Sequence, residues 1–470
     1  MGTVNTVVAL AYLAAAAAFV IGLHLMNSPA TARRGSQIST AGMVVAVAAT
    51  VAKIVNDGTI TAVGWAVLGA GAVIGAGIGL RMARRVKMTA VPQLVSLFNA
   101  VGGGAAAVIA VADIVRLSGG SVSARTMTAT VLDVIIGGVT FSGSLIAAGK
   151  LQGWITGSPV ILPGTRIITA ALAVVAVGGS AYLLAGNNSL AVLIVVVCAA
   201  LAFGVTMVMP IGGADMPVVI SLLNACTGLA VAMAGFVIDN AALIIGGALV
   251  GASGTILTVL MAEAMNRSIP NIIMGGFGTG DTSVPTLAGV GGDVRRLSAE
   301  DAAIQLAYAS KVIVVPGYGL AAAQAQQEVR QLSDLLQAHG VQVLFAIHPV
   351  AGRMPGHMNV LLAEANVPYT DLKEMDEVNP EFATADVALV VGANDVTNPA
   401  ARRPGNPVSG MPILDVDHAK NIIVIKRSMG HGYAGIDNEL YTDPKTGMFF
   451  ADAKAGLSEI ISNIKALVAA

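Results

Sequence analysis

Charge is scarce in this chain of 470 residues, and so are aromatic rings: 11% of positions carry Asp, Glu, Lys or Arg and 4% carry Phe, Trp or Tyr. So little charge excludes a disordered protein, which stays solvated through high charge and low hydrophobicity. It also excludes an ordinary soluble protein, in which about 25% of residues are charged. The formal net charge of −1 provides no basic field, so nucleic acid is not an expected partner. The two cysteines, Cys198 and Cys226, sit inside apolar stretches without metal-ligand spacing and indicate neither a disulfide nor a zinc site. What is present is aliphatic and small: 55% of residues are hydrophobic, 55 are glycine and the mean hydropathy is +0.77. The class is a polytopic membrane protein in a lipid bilayer, with small residues that let helices approach closely.

The scarcity of charge is uneven. Of 27 acids and 26 Lys or Arg, residues 1–262 hold only 5 acids (Asp57, Asp113, Asp133, Asp215 and Asp239) and 11 bases, leaving 22 and 15 for the remaining 208 residues. The second part has the charge density of a soluble domain. We expect a transmembrane domain over 1–265, a hinge or linker over 266–300 and an α/β domain over 301–470.

Spans are expected at 4–25, 39–56, 60–80, 92–114, 127–149, 166–186, 190–209, 216–236 and 240–262. Each is near the ~20 residues that cross a ~30 Å hydrocarbon core. The first has no charged segment before it and reads as a retained span, not a cleaved signal. One set of loops holds Arg33, Arg34, Arg81, Arg84, Arg85, Lys87, Lys150, Arg166 and Arg267, whereas the other holds only Arg116 and Arg125, with Lys53 near a span end. Positive charge stays inside, which places the N-terminus outside and the C-terminal domain in the cytoplasm. Gly71, Gly75 and Gly79 form a small-residue face expected to pack helices.

The Gly-rich segment GGFGTGDTSVPTLAGVGGD ends before Ser298 and Asp301, which form a capping box at a helix start. Lys311–Val315, Val341–Ile347, Val387–Val391 and Asn421–Ile425 are then apolar runs of the kind found in parallel strands buried on both faces. The expected fold is a membrane domain of about nine helices followed by a doubly wound, Rossmann-like α/β domain.

The first run leads directly into Gly317-Tyr318-Gly319-Leu320-Ala321-Ala322 and then AQAQQEVRQL, which predicts one helix. Strand, GxGxxA and helix is the context of a dinucleotide fingerprint, in which Gly317, Gly319 and Ala322 serve the turn, the approach to pyrophosphate and helix packing. The second run ends IHPVAG, without the acid that would bind an NAD ribose 2′-hydroxyl. The fourth runs into Lys426, Arg427 and Ser428, two cations and a hydroxyl suited to the 2′-phosphate of NADP. Arg353, Asn394, Asp395 and Tyr433 occupy loops after strands and are candidates for ligand contact or ordinary turn residues. His348, His357 and His431 have no metal-binding spacing and are expected in turns or at the surface.

In the membrane half, the polar residues at span depth are Asn99, Asp133, Ser144, Asp215 and Asn224. Ionisable groups there are candidates for a proton or ion path, whereas Asn and Ser also serve as interhelical hydrogen-bonding groups.

The strings VPGYGLAAAQAQ, IHPVAGRMPGHMNVLLAEANVPY, GANDVTNPAA, KRSMGHGYAGIDN, ADMPVVISLLNACTG and AMNRS closely resemble the beta subunit of proton-translocating nicotinamide nucleotide transhydrogenase. The resemblance covers essentially the whole chain. It implies NADP(H) bound here, NAD(H) bound on a separate alpha subunit, and a dimer of alpha-beta units in a prokaryotic cytoplasmic membrane. Carried over by motif, Gly317, Gly319 and Ala322 bracket the pyrophosphate. Arg353, Asp395, Lys426, Arg427 and Tyr433 contact or cover NADP(H), with Lys426 and Arg427 on the 2′-phosphate. Asp215 and Asn224 line the proton channel, while Gly251 and Gly254 couple the last helix to the nucleotide domain. One departure stands out: Asn99 occupies the place of a channel histidine found in many members, and an amide cannot titrate. From another class, a channel or transporter with a nucleotide-sensing Rossmann domain fits the same composition, although such sensors usually want the acid that IHPVAG lacks. A quinone-linked dehydrogenase would need flavin, Fe–S or haem motifs, and none is visible.

Overall fold

The computed structural model describes residues 3–469 apart from 27–28, 59, 88–89, 118–123, 157–159, 161–163, 188, 213–214, 266–267, 274–293, 353–355, 405, 407 and 433. Arg267, Arg353, Tyr433 and most of the expected linker therefore lie outside the described residues. Contacts divide the chain into two compact units, 1–211 with 219–258 and 212–218 with 259–470.

Among the described residues, nine helices are long and apolar enough to cross a membrane. They are α1 (Thr3–Leu25), α2 (Pro29–Asp57), α3 (Ala62–Arg85), α4 (Val91–Leu117), α5 (Ala124–Gln152), α6 (Thr165–Leu184), α7 (Leu190–Val208), α8 (Met216–Val237) and α9 (Ala241–Ala264). Several outrun the expected spans: α2 begins at Pro29 and takes in Arg33 and Arg34, and α3 runs on through Arg81 to Arg85. Hydropathy registers only the apolar stretch, whereas helical hydrogen bonds continue through Arg and Lys, which are good helix formers.

Within this chain the glycines that set the helix packing are others than Gly71, Gly75 and Gly79. A β-carbon at Gly71, Gly75 or Gly79 would meet nothing within 4 Å, and α3 has no buried residue. Close approach occurs instead between α1 and α2, where a β-carbon at Gly35 would lie 2.5 Å from Gly22 O. Between α4 and α5 it would lie 2.6 Å from Gly103 O at Gly137, and between α8 and α9 it would lie 2.4 Å from Gly251 N at Gly228. Polar caps finish the bundle: Asn240 Oδ1 accepts from Ala242 N (3.0 Å) and Leu243 N (3.2 Å) at the start of α9, and its amide donates to Tyr12 Oη (3.4 Å).

After the short α10 (Ile269–Ile273), the second unit builds a parallel sheet from β1 (Lys311–Pro316), β2 (Gln342–Ile347), β3 (Leu372–Glu374), β4 (Val387–Val391), β5 (Asn421–Lys426) and β6 (Thr446–Phe450). The strand order is β3-β2-β1-β4-β5-β6, the order of a dinucleotide-binding fold, with the switch point between β1 and β4. The helices are α11 (Ala299–Ala307), α12 (Tyr318–Ala322), α13 (Gln326–Ala338), α14 (His357–Glu364), α15 (Met375–Val378) and α16 (Ala453–Ala469). As expected, Ser298 caps α11: its hydroxyl accepts from Asp301 N (3.1 Å) and donates to Asp301 Oδ2 (2.8 Å).

One face of the sheet buries Val312, Phe345 and Leu389 with α11, α13, α14 and α16 through Leu306, Leu332, Leu361 and Leu457. The other buries Ile313, Val390 and Val424 against Val378, Phe382, Leu440 and Tyr441. The longer helices lie on the first face and the short α15 on the second, where, among the described residues, the crossovers from β4 to β5 and from β5 to β6 carry 3-10 turns. Their sequences, rich in Asn, Asp, Gly and Pro, favour turns over helix.

Candidate functional site

The fingerprint lies at the switch point. β1 ends at Pro316, and Gly317 N donates to Val391 O (3.0 Å) while Gly319 N donates to Gly392 O (2.9 Å). Gly392 has φ 68°, and a β-carbon there would lie 2.3 Å from Gly319 Cα; one at Gly317 would lie 2.4 Å from Ala393 Cα. Three glycines thus let the loops after β1 and β4 meet backbone to backbone. The helix that follows differs from the expected one. It stops after α12, Gln324 takes φ 52°, and α13 begins afresh at Gln326. Ala323 N and Ala325 N bond back to Gly319 O (3.0 Å) and Leu320 O (3.1 Å), closing a turn that ends the first helical segment.

Beside this crossing stand the loops after β4 and β5. With its amide oriented so that the oxygen faces donors, Asn394 accepts from Gly432 N (2.7 Å) and Lys426 Nζ (3.2 Å) and donates to Tyr441 Oη (3.1 Å). Asp395 Oδ2 accepts from Ala434 N (3.1 Å), Asn398 Nδ2 donates to Asp437 O (3.0 Å), and Asn438 Nδ2 donates to Asn394 O (2.9 Å). The β5 loop is therefore folded onto the β4 loop by four side chains, of which the sequence had singled out Asn394 and Asp395 and missed Asn398 and Asn438.

Lys426 and Arg427 part company. Lys426 bends inward, donating to Gly430 O with its ammonium 4.6 Å from the centre of the Tyr441 ring. Burial lowers its pKa, partly offset by Asp395 and Asp437. Arg427 and Ser428 are exposed, and Ser428 Oγ accepts from Gly430 N (3.4 Å). Tyr441 is buried, its hydroxyl donates to Ala393 O (3.1 Å), and burial pushes its pKa up.

At the end of β2 His348 opens a turn as expected, its carbonyl accepting from Ala351 N (3.0 Å), although it is buried; His431 is exposed as expected, whereas His357 is buried in α14 and departs from the expectation. His348 Nδ1 accepts from Val350 N (3.2 Å), so its proton sits on Nε2, 2.8 Å from Pro412 O. Burial brings its pKa down to about 4. His431 pairs with Asp437 at 3.2 Å. A separate groove of about 720 Å³ borders Met375, Asn379, Arg402, Arg403 and Met411, but its arginines are engaged. Arg402 bonds Asp415 and Asp417 (both 2.6 Å), and Arg403 bonds Glu439. Among the described residues, no three His, Cys, Asp or Glu come together to hold a metal.

In the membrane half, Asn99 is buried and tied to α8 twice: its Nδ2 donates to Ile220 O and Thr227 Oγ1 donates to its backbone carbonyl, both at 3.3 Å. Ser96 Oγ donates to the Ser144 backbone carbonyl (2.8 Å), and the buried Ser144 hydroxyl itself has no partner among the described residues. Ser221 Oγ donates to Gly254 O (3.2 Å), and Thr258 Oγ1 lies 3.1 Å from Ser221 Oγ. Gly254 and Gly251 are close-packing positions, where a β-carbon would lie 2.9 Å from Ala225 N and 3.2 Å from Leu229 Cδ2 respectively. Asn224 is half-buried on α8. Asp215 directly precedes α8, its N–H bonded to Gly212 O (3.2 Å). The structure does not bring Asp133 into this network: it is wholly buried, and neither carboxyl oxygen has a partner among the described residues. Sequence reasoning passed over Ser96, Ser221, Thr227 and Thr258, whose hydroxyls look like any in a membrane helix; Thr227, three residues after Asn224, was the available hint.

Comparison with known proteins places these features in one family. The model of the NAD(P) transhydrogenase beta subunit matches residues 8–463. The NAD(P) transhydrogenase subunit beta of Rhodospirillum rubrum is 46% identical over 460 residues, covering 96% of this chain and 97% of that protein. The chain belongs to the NAD(P) transhydrogenase beta subunit family.

Proposed function

We propose that this chain binds NADP(H), exchanges hydride with NAD(H) held by a partner alpha subunit, and couples the exchange to proton movement across a prokaryotic cytoplasmic membrane. The observation that carries the reading is the carboxyl edge of the sheet. A cradle of three glycines lies at the switch point, and an exposed Arg427 beside Lys426 closes β5. At the end of β2, where an NAD site would offer a carboxylate, stands the buried His348.

Those residues fit a nucleotide with a 2′-phosphate. Gly317, Tyr318, Gly319 and Ala322 would hold the pyrophosphate, and Lys426, Arg427 and Ser428 the 2′-phosphate. Arg353, Asn394, Asp395 and Tyr433 would contact or cover the rest. When bound, the nicotinamide supplies the hydride chemistry, which needs no protein acid or base. The chain's own residues bind, orient and gate. Asn394, Asp395 and Lys426 hold the β5 loop against the β4 loop, so making or breaking those bonds changes how tightly the site is closed.

The two redox couples are nearly balanced, and a proton falling through 100 mV releases about 2.3 kcal/mol. That energy acts on NADP(H) affinity in open and occluded states. On this reading residues 1–265 form the proton-translocating part, with Asn99, Asp133, Ser144, Asp215 and Asn224 along the path. Residues 266–300 connect it to the NADP(H)-binding part at 301–470, Gly251 and Gly254 serve the coupling, the N-terminus lies outside, and alpha-beta units pair as dimers. The test is hydride transfer from NADPH to the acetylpyridine analogue of NAD⁺ in membranes with and without the alpha subunit. Turnover is expected only with both subunits. Tight NADPH binding without turnover in the complete complex would favour a nucleotide-sensing transporter instead.

A further inference from the structure

A lysine near the end of a membrane helix ordinarily extends its stem until the ammonium reaches water. Lys150, close to the end of α5, does not: it is 4% exposed. Its ammonium turns inward and donates to Met209 O and, at 2.8 Å, to Ile211 O. These carbonyls lie just past Val208, the last residue of α7, where helix carbonyls lack partners and partial negative charge collects. An ammonium, with three donors and no acceptor, matches that end. The same terminus receives Val160 N on Met209 O (3.1 Å), and α4 joins α5 nearby through Gln93 Nε2 and Leu151 O (3.1 Å). Four residues after Ile211 in the sequence stands Asp215, directly before α8.

We infer that Lys150 is a positioning residue for the cytoplasmic end of the proton path: its buried ammonium locks the α7 terminus at Ile211, four residues before Asp215 in the chain. The inference rests on the role given to Asp215 in the proposed function. Methionine at position 150 keeps the length and apolar stem of lysine and loses the donors, whereas arginine keeps charge and donors.

The experiment uses the complete alpha-beta complex in inside-out membrane vesicles, with Cys198→Ser, Cys226→Ser and a reporter Ile211→Cys. Ile211 is 3% exposed and Trp154, the site of a control reporter Trp154→Cys, is in open contact with its surroundings. With Lys150 present, the reporter at 211 should react slowly with a membrane-impermeant maleimide. Lys150→Met should raise its rate at least tenfold without changing the rate at 154, and should lower proton pumping at least tenfold while NADPH binding persists. Lys150→Arg should stay within about threefold of the parent on both measures. Unchanged labelling in Lys150→Met overturns the lock, and faster labelling with unchanged pumping overturns its link to the path. If Lys150→Met fails to insert, Lys150→Leu, which likewise has no donor, is held to the same outcomes. Absence of pumping in the parent complex would refute the proposed function alone, because the labelling still decides the lock.

Discussion

The sharpest quantitative consequence of the site is that Lys426 and Arg427, adjacent cations at the end of β5, should fail differently when removed. Arg427 is exposed and makes no ion pair with a protein side chain among the described residues, so Arg427→Ala would remove the proposed ligand contacts and little else. A charge-assisted hydrogen bond contributes about 1.5–3 kcal/mol, which predicts NADP(H) binding weaker by roughly tenfold to more than a hundredfold, with NAD(H) binding unchanged. Lys426 is also part of the fold, through Gly430 O, Asn394 and the Tyr441 ring. Its alanine variant loses about 1 kcal/mol for a hydrogen bond and about 0.5–1 kcal/mol for the ring contact. Removing a partly buried charge also relieves desolvation, so a net loss of about 1 kcal/mol is expected, roughly 2–4 °C in Tm for a domain of this size.

The C-terminal domain is suited to this measurement because both faces of its sheet are covered by its own residues. Calorimetric titration of the domain from 291 onward with NADP⁺ and NAD⁺, together with thermal melts of both variants, separates the cases. Equal affinity of the native domain for the two cofactors would refute the reasoning at its root. An Arg427→Ala variant with an unaltered NADP-to-NAD ratio would refute the assignment of the 2′-phosphate.

Three further outcomes are expected. Gly392→Ala combines a left-handed backbone, at about 1–2 kcal/mol, with overpacking against Gly319, at about 1–3 kcal/mol, so chemical denaturation should show a loss of about 2–5 kcal/mol; a loss under 1 kcal/mol contradicts the close crossing. His348, with its pKa lowered to about 4, favours the folded state when neutral, so its contribution is complete above the unfolded pKa near 6.5 and disappears as pH falls toward 4. The gap in stability between native domain and His348→Gln, bounded by about 3 kcal/mol, should narrow across that window, and parallel curves would rule this out. Asp215→Asn should abolish pumping in dye-loaded proteoliposomes while NADP(H) binding by the C-terminal domain is kept; unchanged pumping would reduce Asp215 to a helix cap.

Much of the fold was legible because its strongest signals are periodic or continuous. Val387–Val391 and the runs around Ile313 and Ile423 are buried on both faces, so their lack of alternation marks them as central parallel strands. β3 went unread because Leu-Lys-Glu is a three-residue edge strand. β6 did because Thr446 and Gly447 follow Asp-Pro-Lys and look like a turn, while only burial against Leu297 and β5 makes them a strand. The break at Gln324 was invisible to propensity, since every residue of AAAQAQQ favours helix and tertiary packing of the fingerprint turn overrides it. Residue types singled out Asn394, Asp395, Lys426 and Arg427 at the strand ends, but not that Lys426 would fold inward. Asn398 and Asn438 were hidden among equally turn-like neighbours. In the membrane, hydropathy located the nine helices, whereas the polar ties between them depend on which face each hydroxyl presents.

That distinction bears on how Gly251 and Gly254 would act in coupling. Glycine in a helix invites a reading as a hinge, yet both residues here lie in unbroken helix and are small because α8 is against them. Gly228 and Gly251 meet backbone to backbone, and Gly254 packs on Ala225. The Ser221 hydroxyl closes on the carbonyl of Gly254, with Thr258 beside it. Sliding α9 alone along α8 would drive backbone atoms into one another and strip buried hydroxyls of partners, each stripped group costing about 1–3 kcal/mol. By comparison, α4 is tied to α8 by two hydrogen bonds of 3.3 Å at Asn99, which can be broken without a steric clash of backbones. The plane of easier movement therefore lies between α4 and the α8–α9 pair. Asn99 stands on that plane, and on the proposed reading an amide that cannot titrate would act there by holding or releasing α8.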